Sequence, residues 1–336
     1  MIRWNESDRE AAVPVHPFYQ ARFAALLEPR GDGRPDDALI EERTREQSRR
    51  LAERARSWAP AGVEIRAAET AGPHGPVPLR TYRPAAGAPL GSALVWAHGG
   101  GFRAGDLDMP EAHVVCAELA QRAGALVVSV GYRLAVDGVR HPVPVDDVHA
   151  VWTALCRGEL PAEAGAVDVE RLPVALGGAS AGAALALATA LRGRDGGPRP
   201  ADALLLAYPF AHFPNPAPDE ALAAGMAGLP LRLGPDRVED MVRGYVGRTT
   251  DLPPDALPGA APLRGLPPTR ILVSEYDDLR PSGELLGRQL AECDVPVASL
   301  LAEGMVHGHL NNLPDELPEI GKSLEFLAEG LRLAGR

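Results

Sequence analysis

The chain has 336 residues, 46% of them hydrophobic, and a formal net charge of -11. That supports one large α/β domain or a core with a small accessory domain, and the acidic balance argues against a nucleic-acid surface or a basic membrane patch. Its three cysteines, Cys116, Cys156 and Cys293, are widely spaced and odd in number, so they read as reduced structural thiols rather than a disulfide framework or a metal set.

The polar opening Met1-Ile2-Arg3-Trp4-Asn5-Glu6-Ser7-Asp8 lacks a signal-peptide core. No apolar run reaches the roughly eighteen residues of a membrane span, so a cytoplasmic protein is expected. Residues 17–56 read as two helices broken at Pro29-Arg30-Gly31-Asp32-Gly33, the second charged from 41 to 56 as a solvated face would be. Residues 63–66 and 77–82 alternate as half-buried strands around Gly72-Pro73-His74-Gly75. Runs at 93–97 and 125–130 are continuously apolar, as in strands covered on both faces, with a crossover helix over 111–122 between them. A helix over 145–156, a strand over 172–177, a helix over 181–191 and a strand over 203–208 follow. Residues 209–266 break this alternation: they are rich in Pro and Gly, carry one helical segment around 236–245 and contain no convincing strand, which suits a lid at the strand ends. Strands at 270–274 and 297–301, with helices at 282–292 and 320–333, close the chain. The pattern predicts a doubly wound, mostly parallel sheet, without internal repeats.

Four stretches carry chemistry. Gly178-Ala179-Ser180-Ala181-Gly182 lies between a strand and an alanine-rich helix, the context that strains a serine and exposes its hydroxyl at a helix N-terminus. His98-Gly99-Gly100-Gly101-Phe102 follows a core strand, and its bare amides can converge on an anion. The amides of Gly100, Gly101 and Ala181 are therefore assigned to an oxyanion hole. His98 reads as a structural pin of that loop. Near the C-terminus, Ser274-Glu275-Tyr276-Asp277-Asp278-Leu279-Arg280 and Glu303-Gly304-Met305-Val306-His307-Gly308-His309 both follow strands, on the side of the sheet where active sites gather. They offer Asp277 or Asp278 as an orienting acid, and His307 or His309 as a base for the Ser180 proton. The order Ser, Asp, His is that of the α/β-hydrolases.

These residues resemble the hormone-sensitive-lipase-like family of α/β-hydrolase carboxylesterases. The likeness rests on the two glycine motifs and on Gly105-Asp106-Leu107-Asp108, Tyr132-Arg133-Leu134-Ala135, Pro267-Pro268-Thr269, Asp277 to Arg280 and Gly304 to Gly308, and covers nearly the whole chain. It implies an α/β-hydrolase fold with an eight-stranded sheet: a core of residues 61–208 and 267–336, N-terminal cap helices in 1–60 and a cap insertion at 209–266. Its register favours Ser180 as nucleophile, Asp277 as acid and His307 as base. It also implies small-molecule esters of short to medium acyl chain, hydrolysed through an acyl-enzyme without a cofactor, and a homodimer through an edge strand or the C-terminal helix.

Four positions depart from the family. It usually carries aspartate where Ala179 and Gly131 stand, proline where Asp278 stands and phenylalanine where His309 stands. None of these removes a catalytic group. A non-hydrolytic lyase or cyclase, or a ligand-binding relative, is the alternative, because fold alone does not fix function. Among other residues, Phe102 and His212, beside the lid, are candidates for touching substrate. His16, His74, His113, His141 and His149 read as surface or satisfied core groups, with no metal spacing. Asp146 and Asp147 read as acids of a first helical turn, and Glu275 as a solvated or structural carboxylate.

Overall fold

The continuous apolar runs become the middle of one eight-stranded sheet. The computed structural model describes residues 15–29, 36–85, 88–165 and 168–334. The polar segment 1–8 and most of the expected break at 29–33 lie outside them. Strands β1 (Val63–Thr70) and β2 (Val77–Pro84) form an antiparallel hairpin, followed by β3 (Ser92–Ala97), β4 (Ala125–Val130), β5 (Val174–Ala179), β6 (Ala203–Ala207), β7 (Thr269–Tyr276) and β8 (Val297–Val306). Their order in space is β1-β2-β4-β3-β5-β6-β7-β8; β2 meets β4 antiparallel and every later pairing is parallel. Every residue of β3, β4, β5 and β6 is buried, as expected when helices cover both faces.

Helices α1 (Pro17–Leu26) and α2 (Asp37–Arg56) precede the sheet, and α3 (Pro110–Ala123), α4 (Val143–Cys156) and α5 (Ala181–Arg194) separate its central strands. The insert holds α6 (Glu220–Gly225) and α7 (Pro235–Val246), and α8 (Arg280–Glu292) and α9 (Pro318–Leu333) end the chain. One hydrophobic cluster joins α4, α5 and α8 to one sheet face; a second joins α1, α3 and α9 to the other. Among the described residues, no helix is long and apolar enough to cross a membrane.

Several boundaries move from the sequence reading. Strand β5 starts two residues later than expected, because Pro173 has no amide to donate and enters the sheet only through its carbonyl, which accepts from Ala93. Strands β7 and β8 run on to Tyr276 and Val306, so the first part of each of the stretches 274–280 and 303–309 is strand rather than loop. The insert contains a second helix, α6, capped by the Asp219 carboxylate accepting from the Leu222 amide at 2.8 Å. Helix α4 begins at Val143, which leaves Asp146 in its first turn and carries Asp147 past it. Asp147 is fully buried and accepts from the Arg133 backbone amide (2.9 Å) and guanidinium (2.6 Å), so it anchors the loop after β4 rather than capping a helix.

Candidate active site

The register of the parallel strands brings four strand ends together. Ala97 of β3 lies opposite Gly178 of β5, so the loop after β3 and the turn after β5 leave the sheet side by side. Asp277 and His307 come directly after β7 and β8, which pair to their ends.

The turn after β5 is tight enough to dictate its sequence. A Cβ on Gly178 would sit 2.4 Å from the Gly182 carbonyl oxygen, and one on Gly182 would sit 2.2 Å from that of Ala97. Between them Ser180 has φ +53° and ψ -118°, a left-handed conformation strained for any residue with a side chain. Its amide donates to the Ala207 carbonyl at 2.9 Å, which fixes the turn to β6. Ser180 Oγ lies 2.9 Å from His307 Nε2, and His307 Nδ1 lies 2.7 Å from Asp277 Oδ2. The Leu279 amide donates to the other oxygen of Asp277, which is buried.

Burial works against the charged form of His307, but the adjoining Asp277 charge and hydrogen bond, joined by Glu111 and Asp278, raise its proton affinity above that of free imidazole. His309 has the opposite character. Its ring is fully buried between Ser274 Oγ and Ser323 Oγ, each at 2.9 Å, and burial pushes it down to about 3. His307 faces Ser180; His309 joins the ends of β7 and α9.

The second acid of the pair at 277–278 is also occupied elsewhere. Asp278 accepts from Arg232 Nε and Nη2 at 2.8 and 2.6 Å, and from the Leu233 amide at 2.8 Å. Its backbone carbonyl accepts from Asn215. Thus the residue standing where the family usually has proline ties the insert to the acid loop.

The loop after β3 needs its glycines. Gly100 has φ +107°, and a Cβ there would lie 2.0 Å from the Ala104 carbonyl oxygen. Gly101 has φ +60°, and its Cβ would lie 2.7 Å from Met241 Sδ of α7, so the insert packs onto this loop. No acceptor among the described residues takes the amides of Gly100, Gly101 or Ala181. Neutral His98 donates from Nδ1 to the Gly99 carbonyl at 2.8 Å, and burial holds its ring down to about 4. Tyr132 stacks on that ring and donates to the His98 carbonyl, which makes His98 a pin of the loop.

Phe102 and His212 are engaged in packing. Phe102 is fully buried and stacks on Tyr245 of α7 with ring centroids 3.8 Å apart. His212 is buried between Ser282 Oγ and Gln289 Oε1, both at 2.9 Å. Neither ring presents the open face expected of a substrate contact. Glu275 accepts from the Gly304 amide at 2.6 Å and so holds β8 to β7. Of the other departures, Ala179 is core, and Gly131 has little room, since a Cβ there would lie 3.1 Å from the Pro78 carbonyl oxygen. Among the described residues, no group of His, Cys, Asp or Glu could hold a metal ion.

The sequence reading missed three residues of this neighbourhood. Glu111, Tyr208 and Asn311 meet behind the glycine loop, with Tyr208 Oη donating to Glu111 Oε1 at 2.5 Å and Asn311 Nδ2 at 3.1 Å. The only sequence signal was an acid in the first turn of α3, just after Pro110 at its start.

Residues 94–311 match the alpha/beta hydrolase fold family. The chain is 37% identical over 266 residues to esterase LipI of Mycobacterium tuberculosis, which covers 75% of this chain and 77% of that one. It is 36% identical over 272 residues to carboxylesterase NlhH of the same organism, with 76% and 79% covered. An esterase structure from Pyrobaculum calidifontis superposes with a TM-score of 0.78 at 28% identity, over 95% of this chain and 98% of that one. With this fold and these relatives, the chain belongs to the α/β-hydrolase family, in its hormone-sensitive-lipase-like branch of carboxylesterases.

Proposed function

We propose that this protein hydrolyses carboxylic esters of small molecules, of short to medium acyl chain, through an acyl-enzyme on Ser180. The observation that carries the reading is the line Ser180 Oγ, His307 Nε2, His307 Nδ1, Asp277 Oδ2, with steps of 2.9 and 2.7 Å. His307 Nε2 takes the Ser180 proton as Oγ bonds to the carbonyl carbon of the ester. The π electrons of the carbonyl move to its oxygen, where the amides of Gly100, Gly101 and Ala181 receive the charge. The tetrahedral intermediate collapses, the C–O bond to the alcohol breaks, and the leaving oxygen takes the proton from His307. Water repeats the sequence to release the acid and restore Ser180. Asp277 holds the imidazole with Nδ1 protonated and stabilises its cation throughout.

Residues 61–208 and 267–336 make the catalytic core in this reading. Segment 209–266 and the N-terminal helices are the cap. Met241 over Gly101 and Tyr245 against Phe102 support that role for α7. The names of the relatives support ester chemistry; the acyl range follows the family. The test is hydrolysis of p-nitrophenyl acetate and butyrate by the wild type and by Ser180→Ala. Turnover that falls by several orders of magnitude supports the reading, and equal turnover rejects it.

A further inference from the structure

Glu111 is a buried carboxylate that the steps above do not use. It is 1% exposed, and three donors converge on its two oxygens: the Gly99 amide on Oε2 at 2.6 Å, and Tyr208 Oη and Asn311 Nδ2 on Oε1 at 2.5 and 3.1 Å. The Gly99 amide and the Asn311 side-chain amide can only donate to these oxygens, and only the Tyr208 hydroxyl could accept a carboxylic proton, so the contacts favour the ionised form. No lysine or arginine forms an ion pair with it among the described residues. A buried anion without a cation is costly, and only the three converging donors offset that cost here.

Its three partners belong to three different parts of the site. Gly99 opens the oxyanion loop and precedes the two assigned amides. Tyr208 directly follows β6, and its ring stands edge-on to His307 with centroids 5.1 Å apart. Asn311 lies in the turn that follows His307, and its Oδ1 also accepts from the Glu111 amide at 3.4 Å. A Cβ on Gly99 would meet Glu111 Oε2 at 2.5 Å and Ser180 Cβ at 3.1 Å, so the carboxylate is pressed against the loop directly behind the nucleophile.

We propose that Glu111 is a positioning residue for this reaction: its carboxylate holds the oxyanion loop against the His307 turn and sets a second fixed negative charge, beside that of Asp277, toward the imidazolium formed in acyl transfer. The inference rests on the ester-hydrolase reading. Burial leaves the Glu111 carboxyl raised above the usual carboxylate range, although the bonds from Tyr208 and Gly99, the His307 charge and Asn311 pull it down in part. The groups facing Glu111 are Tyr208 from the end of β6, Tyr132 from the loop after β4 and His307 from the end of β8. Those facing His307 are Asp277 and Asp278 after β7, Glu111 of α3, and neutral His309. Removing the Glu111 charge therefore lowers the proton affinity of His307. The base then stays neutral to a lower pH, but its cation is less well supported in the transition state.

The experiment is the pH dependence of kcat/KM for p-nitrophenyl acetate in the wild type, E111Q and E111D. E111Q is expected to move the acid limb down by about half a unit to one unit and to lower the plateau about 10–100-fold. E111D keeps the charge, so its limb is expected within about 0.2 unit of wild type even where loss of a methylene lowers the plateau. A limb unmoved in E111Q, or moved equally in both variants, overturns the proposal, because a purely structural prop changes kcat and KM without retuning the base. If E111Q does not fold, E111N takes its place against E111D, which has the same length and keeps the charge: a limb lower in E111N than in E111D supports the proposal, and equal limbs overturn it. A wild type without esterase activity, or Ser180→Ala as active as wild type, rejects the hydrolase reading itself, a result distinct from an active enzyme with an unmoved limb.

Discussion

The strand ends and the insert that packs on them are held by different kinds of force. Ser180, Asp277 and His307 each stand directly after a parallel strand, so backbone pairing across β5, β6, β7 and β8 sets their spacing. The insert between β6 and β7 has no strand to place it. It is fastened by side chains: Arg232 to Asp278, Asp255 to Arg192 at 2.8 Å, Met241 over Gly101, and Tyr245 on Phe102. The first arrangement fixes atoms for chemistry, because a ladder of backbone bonds cannot shift one residue at a time. The second can differ between relatives without moving the nucleophile, so selectivity is expected to vary there.

Substitutions at the strand ends should therefore act on kcat, and those at the fastenings on KM and stability. The largest effect is expected from Ser180→Ala and His307→Ala. Each should lower kcat by about 10⁴–10⁶, and the double variant should be little worse than either, since the two groups act as one unit. Additive losses in steady-state hydrolysis would separate them. Asp277→Asn should follow with a loss of about 10⁴ in kcat, because an amide facing Nδ1 favours the wrong tautomer. Activity within tenfold of wild type would shift the orienting role elsewhere.

Gly101→Ala should cost about 10² in kcat, since φ +60° and the contact with Met241 leave no room for a methyl group. A change confined to KM would remove Gly101 from the oxyanion hole. Arg232→Met should leave kcat for p-nitrophenyl acetate within about threefold, raise KM, and lower unfolding stability by about 2–4 kcal/mol, because the buried Asp278 carboxylate loses its cation. A denaturant melt and a substrate series read both. An unchanged KM together with a lower kcat would place this pair among the strand-end groups.

The smallest effect is the pH limb of the wild type. His307 must be neutral to accept the Ser180 proton, and its proton affinity is raised in the fold. Activity should therefore be full at higher pH and be lost as pH falls through a value above about 6.5, the ordinary imidazole midpoint. A limb below that value would contradict the support from Asp277.

The sequence made the strand-end region readable because its signals are local. Gly178 and Gly182 flank Ser180, three glycines follow a core strand, and the acid and base come in chain order after apolar runs. The roles of Asp278 and Glu111 were not legible, since their partners lie far away in sequence: Arg232 is 46 residues from Asp278 and Asn311 is 200 from Glu111. Spacing carries no trace of such pairs. Helix α6 was missed for another reason. It is six residues long, and its Asp219 cap is a signal that proline-rich surroundings hide. Phe102 and His212 were drawn toward substrate by their nearness to the loop and the lid, whereas packing consumes both rings.

The central claim is that Ser180 is a nucleophile activated by His307 beside open oxyanion amides. Treatment with an aryl phosphonate ester, followed by mass mapping of the peptides, tests nucleophile, base and access together. The account predicts one covalent adduct per chain, on Ser180, formed more slowly as His307 is protonated and absent from Ser180→Ala. An unlabelled wild type, or an adduct carried by any other residue, would contradict it.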